Sequence, residues 1–424
     1  MNTNAIADTT PADSPSFAAW IGLDWGQSTH AFALTDRSGQ TQEGTLTHSA
    51  EVLHDWMQQL AKRFAGQPVA LAVEASRGPV VSVLLAYPWL TVYPINPLTS
   101  ARYRQAFVPS GAKDDQPDAR VLLELVRDHT AKLRPLELQD ADTQKLNGLV
   151  QARRDMVDRR TQVLNQLTAL LKTYYPQAFE LVGNLNTELA VDFLSRWPDL
   201  LTLKAARPST IKRFYNTHNL RRPELLDQRL KFICQAVALT TNEVTVQVAV
   251  LQLHFLLDQL RVFHRHIPRL DEEIKQAFTH HPEVALFRNL PGAGPALAPR
   301  LCAAFGTLRN LHPNPASLQK LVGVAPVREK SGNQLWTHWR WQAPRFLRQT
   351  FVEWAGQTVV YCPWARTYYQ HMIAKGKTHQ ITLRALAFKW IRVLWVCWKT
   401  RTPYNDARYL QQLLKRKSQH AQPA

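Results

Sequence analysis

Two heptad series constrain this chain more than any other feature. Leu146, Val150, Arg153, Val157, Arg160, Leu164, Leu167 and Leu171 fall at alternating four- and three-residue steps, and Leu253, Leu256, Leu260, Phe263, Ile267, Leu270 and Ile274 form a second such series. An apolar stripe of that length must be covered, so each helix needs a partner. The pattern predicts a long antiparallel coiled coil, or a dimer seam, within residues 140–280. Arg153 and Arg160 put charge into the first seam, and Pro268 predicts a kink or a shifted start in the second. Between the two helices, residues 185–243 read as a small helical insertion.

Upstream the period changes. Trp20–Trp25, Ala31–Thr35 and Thr41–Thr47 have strand character, Glu51–Phe64 has helical spacing, and Val69–Glu74 and Leu90–Ile95 are short buried strands. A further helix is expected to begin near Asp114, with Pro117 in its first turn. That succession predicts an RNase-H-like α/β domain over residues 19–135, behind a disordered leader at 1–18. From His281 the sequence is helical, basic and rich in tryptophan. It predicts a mostly helical C-terminal domain at 281–410 and a basic tail at 411–424. The fold class expected is therefore α/β plus α.

Charge separates the same regions. The chain carries 51 Lys+Arg against 33 Asp+Glu, a formal net charge of +18. Residues 1–130 hold 9 basic and 13 acidic side chains, and the remainder holds 42 and 20. An acidic module on a basic body suits metal-dependent chemistry coupled to a grip on phosphate. Cys234, Cys302, Cys362 and Cys397 are scattered without CxxC spacing, which argues against a structural zinc or a disulfide framework. Met1–Ser16 is polar and not signal-like, and Ile381–Trp398 is broken by Arg384, Lys389 and Arg392, as in a buried helix and not a membrane span. An intracellular, reducing compartment follows.

Three constellations carry chemistry. Asp24 interrupts the apolar strand Ile21–Gly26, Glu74 ends Ala70–Glu74, and Asp115 and Asp118 stand three apart at a helix start. Carboxylates placed so are costly unless paired or bound to a cation, so the four are candidate Mg²⁺ ligands, with Mn²⁺ as the alternative ion. Asp114 competes with Asp115, and helix capping or a strand-end turn are the plain alternatives. The second constellation is Leu290-Pro291-Gly292-Ala293-Gly294-Pro295, a helix-hairpin-helix-like turn in which Gly292 and Gly294 would let backbone N–H groups meet a DNA phosphate. The third runs through Lys330-Ser331-Gly332 into Trp336, His338, Trp339, Arg340, Trp341, Arg345 and Arg348, a mix suited to stacking on bases and gripping backbone, or to a tryptophan-rich core. Lys375 and Lys377 add a basic stretch. Taken alone, Ser331 is an ordinary loop serine.

Together these residues resemble the bridge-RNA-guided serine transposases of bacterial insertion sequences. The resemblance spans roughly residues 21–404. It rests on Gly22-Leu23-Asp24, Val73-Glu74-Ala75, Lys113–Arg120, Pro291–Pro295, Ala325-Pro326 leading to Ser331-Gly332, and Thr402-Pro403-Tyr404. It implies a RuvC-like domain whose Asp24, Glu74, Asp115 and Asp118 are the DEDD metal ligands, a coiled coil, and a C-terminal domain whose Ser331 is the nucleophile of a covalent phosphoserine link. It further implies donor and target double-stranded DNA, a structured bridge RNA as guide, and a homo-oligomer, dimer or tetramer, with a composite active site. The setting implied is the bacterial cytoplasm, at the nucleoid. The family's usual Lys-Thr-Asp-Arg-Leu-Asp-Ala is altered here at Asp114, Gln116 and Pro117, and Lys330 replaces a common second serine. A site-specific invertase of the same family and a junction nuclease using water as nucleophile are the alternatives.

Overall fold

The computed structural model describes residues 16–74, 78–107 and 115–415, with the backbone alone at Pro79, Phe107 and Asp115. The chain divides into two compact units, Met1–Leu138 and Gln139–Ala424.

In the first unit the strands are β1 (Ala19–Trp25), β2 (Thr29–Asp36), β3 (Thr41–Thr47), β4 (Val69–Val73) and β5 (Leu90–Pro94). Among the described residues they form one sheet in the order β3-β2-β1-β4-β5. β2 alone runs against the others, since β1 and β3 are antiparallel to it and β4 and β5 are parallel to β1. The helices are α1 (Ala50–Arg63), α2 (Pro79–Leu84), α3 (Pro97–Phe107) and α4 (Asp115–His129).

The period-two alternation decides which helix covers which face. Ile21, Leu23, Phe32, Leu34, Leu71 and Val73 face α1 and α2, burying Trp56, Met57 and Leu84 among them. The opposite rows are small: Ala31, Ala33, Ala70 and Ala72 lie under Ala119, Leu122 and Leu123 of α4. Large side chains there would hold the helix away from the sheet. Phe17 and Ala18, expected in the leader, are instead buried: Phe17 stacks edge-on against Tyr93, and the Ala18 N–H donates to the Pro68 carbonyl at 2.8 Å.

In the second unit, α5 (Ala141–Tyr174) and α11 (Glu243–His280) pack antiparallel. Thr143 Oγ1 at the start of α5 lies 2.9 Å from Nε2 of His281, which caps α11. Arg153, a charge in the seam, pairs with Asp271 across it. α11 neither starts nor stops at Pro268; the proline lies inside one unbroken helix on its exposed side, where water can take the carbonyl bond that the ring removes. The insertion between them is five short helices, α6 (Ala178–Val182), α7 (Glu188–Arg196), α8 (Leu200–Lys204), α9 (Pro208–Thr217) and α10 (Pro223–Gln235), which share a core with the facing ends of α5 and α11.

The C-terminal part contains α12 (Val284–Phe287), α13 (Gly294–Phe305), α14 (Pro315–Val322), α15 (Arg345–Tyr361), α16 (Pro363–Ala374), α17 (His379–Lys399) and α18 (Asp406–Lys415). Its centre is four fully buried tryptophans, Trp354, Trp364, Trp390 and Trp398. Each indole N–H has an acceptor: the Pro291 carbonyl, the Tyr404 hydroxyl, Thr358 Oγ1 and the Gly306 carbonyl respectively. That satisfaction lets such large amphipathic rings be buried without an orphaned donor. Two expectations need correction here. Residues 411–415, assigned to a tail, are the last turn of α18 and bury Leu413. The helical reading from His281 onward also missed a two-stranded hairpin, β6 (Val327–Ser331) with β7 (Gln334–His338). Almost every residue of that hairpin is exposed, so it has no apolar alternation to reveal it.

Candidate functional site

The carboxylate site is built on Gly22. A Cβ placed there would lie 2.0 Å from the Ala119 carbonyl oxygen and 2.3 Å from the Leu123 nitrogen, so only glycine lets α4 cross β1 at this distance. Trp20, Gly22 and Asp24 form one row of β1, and Asp24, opposite Ala31, therefore emerges on the face that carries α4. β1 and β4 are parallel, and their last registered pair is Leu23 with Val73. One step further stand Asp24 and Glu74, half-buried at the same end of neighbouring strands.

Helix α3 holds the other side. Buried Ser100 donates its hydroxyl to Glu74, and one turn later Arg104 pairs with Asp118 in the first turn of α4. The side chains of Arg104 and Asp118 are 21% and 18% exposed, so the pair is partly desolvated and firmly held. Ser100 and Arg104 were not singled out from sequence; their signal is the four-residue spacing that puts both on one side of α3. Asp115 opens α4, but its side chain, like the whole of Asp114, lies outside the described residues. Among the described residues no three His, Cys, Asp or Glu side chains stand close enough together to hold a metal ion. Asp24 and Glu74 stand at one end of the sheet and Asp118 lies in the first turn of the helix packed on the same face, without closing into such a cluster. For Asp118 to serve as a ligand, its guanidinium partner must yield the oxygen.

In the second unit, Ser331 ends β6 at the tip of the hairpin, paired with Gln334 across the turn Gly332-Asn333. Gly332 has φ +57°, the positive angle that the first central residue of a type II′ turn requires. Ser331 is exposed and shares its face with Glu329, Trp336 and His338, while Lys330 and Arg328 alternate to the other face. The cation next to Ser331 in sequence is thus not beside it in space. His338 Nε2 lies 3.3 Å from Glu329 on the serine's face.

The foot of the hairpin is pinned. Arg348 of α15 and Arg384 of α17 approach the Trp339 ring at 4.5 and 3.8 Å, and Arg348 also donates to the Arg340 carbonyl at 2.6 Å. Burial pulls both guanidinium groups below the usual arginine range, and Arg348 adds repulsion at Arg384. The aromatic and basic run thus divides. Trp339 is an anchor, whereas Trp336 and Trp341 are 49% and 80% exposed. Arg345, Lys375 and Lys377 are exposed as well, and Arg340 is half-buried.

The glycine turn divides in the same way. A Cβ at Gly292 would lie 2.9 Å from Gln357 and Tyr361 of α15, so this glycine serves packing, whereas Gly294 is exposed with nothing within 4 Å. The N-terminal turn of α13, with Pro295 and Ala296, opens on a small cavity shared with Arg153, Arg154 and Arg300.

Residues 21–176 match a DEDD domain of IS110 elements described as a transposase, and residues 284–370 match the family described as Transposase IS116/IS110/IS902. Three relatives match over nearly their whole length. A protein named for the mini-circle transposase of IS117 from Streptomyces coelicolor is 27% identical over 94% of this chain and 98% of its own. An uncharacterized 43.6 kDa protein of insertion element IS110, from the same organism, is 25% identical over 93% and 97%. A 42 kDa protein of IS900 from Mycobacterium paratuberculosis is 22% identical over 92% and 97%. No described helix is long and apolar enough to cross a membrane. With both domains in order and relatives aligned end to end, the chain belongs to the IS110/IS116 family of insertion-element transposases.

Proposed function

We propose that the chain moves its insertion element by cutting and rejoining DNA through a serine-linked intermediate. One observation carries the reading: Asp24 and Glu74 leave adjacent parallel strands on the face to which Gly22 admits α4 and Asp118. The strand order, with β2 alone reversed, supports an RNase-H-like fold for the first unit.

Asp24, Glu74, Asp118 and whichever of Asp114 and Asp115 joins them would hold Mg²⁺ or Mn²⁺. Bound there, the ion supplies charge neutralisation at the scissile phosphate. Ser331 provides the attacking oxygen. Its Oγ–P bond forms as the P–O bond to the leaving deoxyribose hydroxyl breaks; the serine proton is lost to solvent and the leaving oxygen gains one. Attack by the incoming strand's hydroxyl reverses the step and frees Ser331. The bond broken and the bond made are alike, so no external energy source is needed. The exposed turn at Gly332 suits a nucleophile that must reach a phosphate.

The basic second unit holds the nucleic acid: donor and target DNA and a structured guide RNA, with Gly294, Lys330, Trp336, Arg340, Arg345, Lys375 and Lys377 as contacts. Gly292 acts there only by shaping the turn. The α5–α11 pair serves as a coiled coil in a dimer or tetramer, and carboxylates of one subunit act with Ser331 of another.

Trapping tests the chemistry. Incubated with donor-end DNA and Mg²⁺, the wild-type chain should yield a detergent-stable protein–DNA adduct, and Ser331→Ala should lose it together with about 10³-fold or more of strand cleavage. Asp24→Asn and Asp118→Asn, or chelation by EDTA, should abolish cleavage by the unmodified serine. Metal-dependent cutting that survives Ser331→Ala would establish a water-using nuclease instead, and inverted but never excised product would establish an invertase.

A further inference from the structure

α17 ends at Lys399, and the chain returns through Thr402-Pro403-Tyr404 into α18, leaving a cleft of about 500 Å³. Lys389, Arg392 and Arg408 line it, and no carboxylate does. None of the three cations forms an ion pair among the described residues. The nearest acid in sequence, Asp406, is occupied by the Tyr404 hydroxyl at 2.6 Å and by Cys362 at 3.4 Å. Lys389 is half-buried with its ammonium 4.3 Å from the Tyr368 ring centre; burial lowers its pKa, and neighbouring Arg392 lowers it further. Three like charges around one cleft, one of them desolvated, lack the anion that would balance them.

The remaining walls are not those of a simple anion site. Val393 and Val396 present apolar surface, and the half-buried rings of Tyr404 and Tyr409, backed by Trp390 and Trp364, complete the wall, with the Tyr404 hydroxyl engaged by Asp406 and Trp364. The volume lies within the range of about 300–1,000 Å³ usual for ligand clefts. Free phosphate would need no aromatic wall, and an apolar ligand would need no cations. A planar base joined to a phosphate uses both. We propose that this cleft receives one unpaired nucleotide of a nucleic-acid strand, its base against Tyr404 and Tyr409 and its phosphate held by Arg392, Arg408 and Lys389. The proposal rests on the nucleic-acid substrate of a transposase and is independent of the chemistry at Ser331.

The test uses the full chain and fluorescein-labelled probes: short oligothymidine, short oligouridine, and a DNA duplex. Combining Arg392→Ala with Arg408→Ala should weaken single-strand binding about tenfold or more while leaving duplex binding unchanged, and lysine at both positions should restore most of it. A larger loss on the DNA strand or on the RNA strand identifies the source of the nucleotide. Binding of both single strands at wild-type strength, or an equal loss on the duplex, would overturn the proposal. A second measurement needs no variant. Irradiation of the wild-type chain with oligomers carrying 5-iodouracil should cross-link the peptide containing Tyr404 or Tyr409, and cross-links confined to other peptides would also overturn it. Neither measurement reads strand cleavage, so failure of the serine chemistry and failure of this site are separable.

Discussion

Gly22 shows how much of the site depends on one missing methyl group. Its would-be Cβ meets backbone atoms of α4, which cannot rotate away. We expect Gly22→Ala to destabilise the N-terminal unit by about 3 kcal/mol and to remove strand cleavage, because α4 must lift and carry Asp118 with it. Urea unfolding and the cleavage assay check both, and a variant of wild-type stability would contradict the packing described here. Asp140 offers a second test at the same scale. It caps α5, accepting from the Thr143 N–H at 2.9 Å, from its hydroxyl at 2.6 Å and from the Thr307 hydroxyl. Burial raises its pKa, but these bonds prevail and hold it at about 2, below the ordinary 3.8. The folded value being the lower one, the stabilisation is complete above the unfolded pKa and fades as pH falls toward the folded one. Asp140→Ala should therefore cost about 1–2 kcal/mol at neutral pH. The gap between wild type and variant should close as pH drops from about 4 to about 2 in parallel urea titrations.

Among the elements, the β6–β7 hairpin is the least self-sufficient. A two-stranded hairpin with no buried face is marginal in water, so its position depends on its foot, where Trp339 lies against Arg348 and Arg384. Trp339→Ala should leave overall stability nearly intact but speed amide exchange of residues 327–338 by about tenfold, as local opening becomes easier. Exchange mass spectrometry reads this directly, and unchanged protection would show that the anchor lies elsewhere. Several element types were legible in sequence where one face is buried, though the short helices α2 and α3 were not. β1, β4 and β5 were recognisable from apolar runs, α5 and α11 from heptads, and α17 from its large apolar residues. The hairpin was not, because an exposed strand has no hydrophobic period.

At the scale of the whole molecule, charge is divided as the chain is: an acidic first third and a basic remainder. If the basic part contacts DNA phosphates throughout, the logarithm of the duplex affinity should fall with the logarithm of salt at a slope of about −6 or steeper. A flat response in the same binding assay would remove the second unit from duplex recognition.

By itself the sequence determined what depends on neighbours along the chain: the strand and helix periods, the division of charge, and the carboxylates that interrupt apolar strands. Only the tertiary structure decided what depends on neighbours in space. Ser100 and Arg104 hold Glu74 and Asp118; Lys330 turns away from Ser331; Gly292 packs while Gly294 stays open; and three cations meet around one cleft. Periodicity is set by local backbone geometry and is written into residue spacing. The partner of a charge is chosen by packing between segments tens of residues apart, and residue spacing does not encode it.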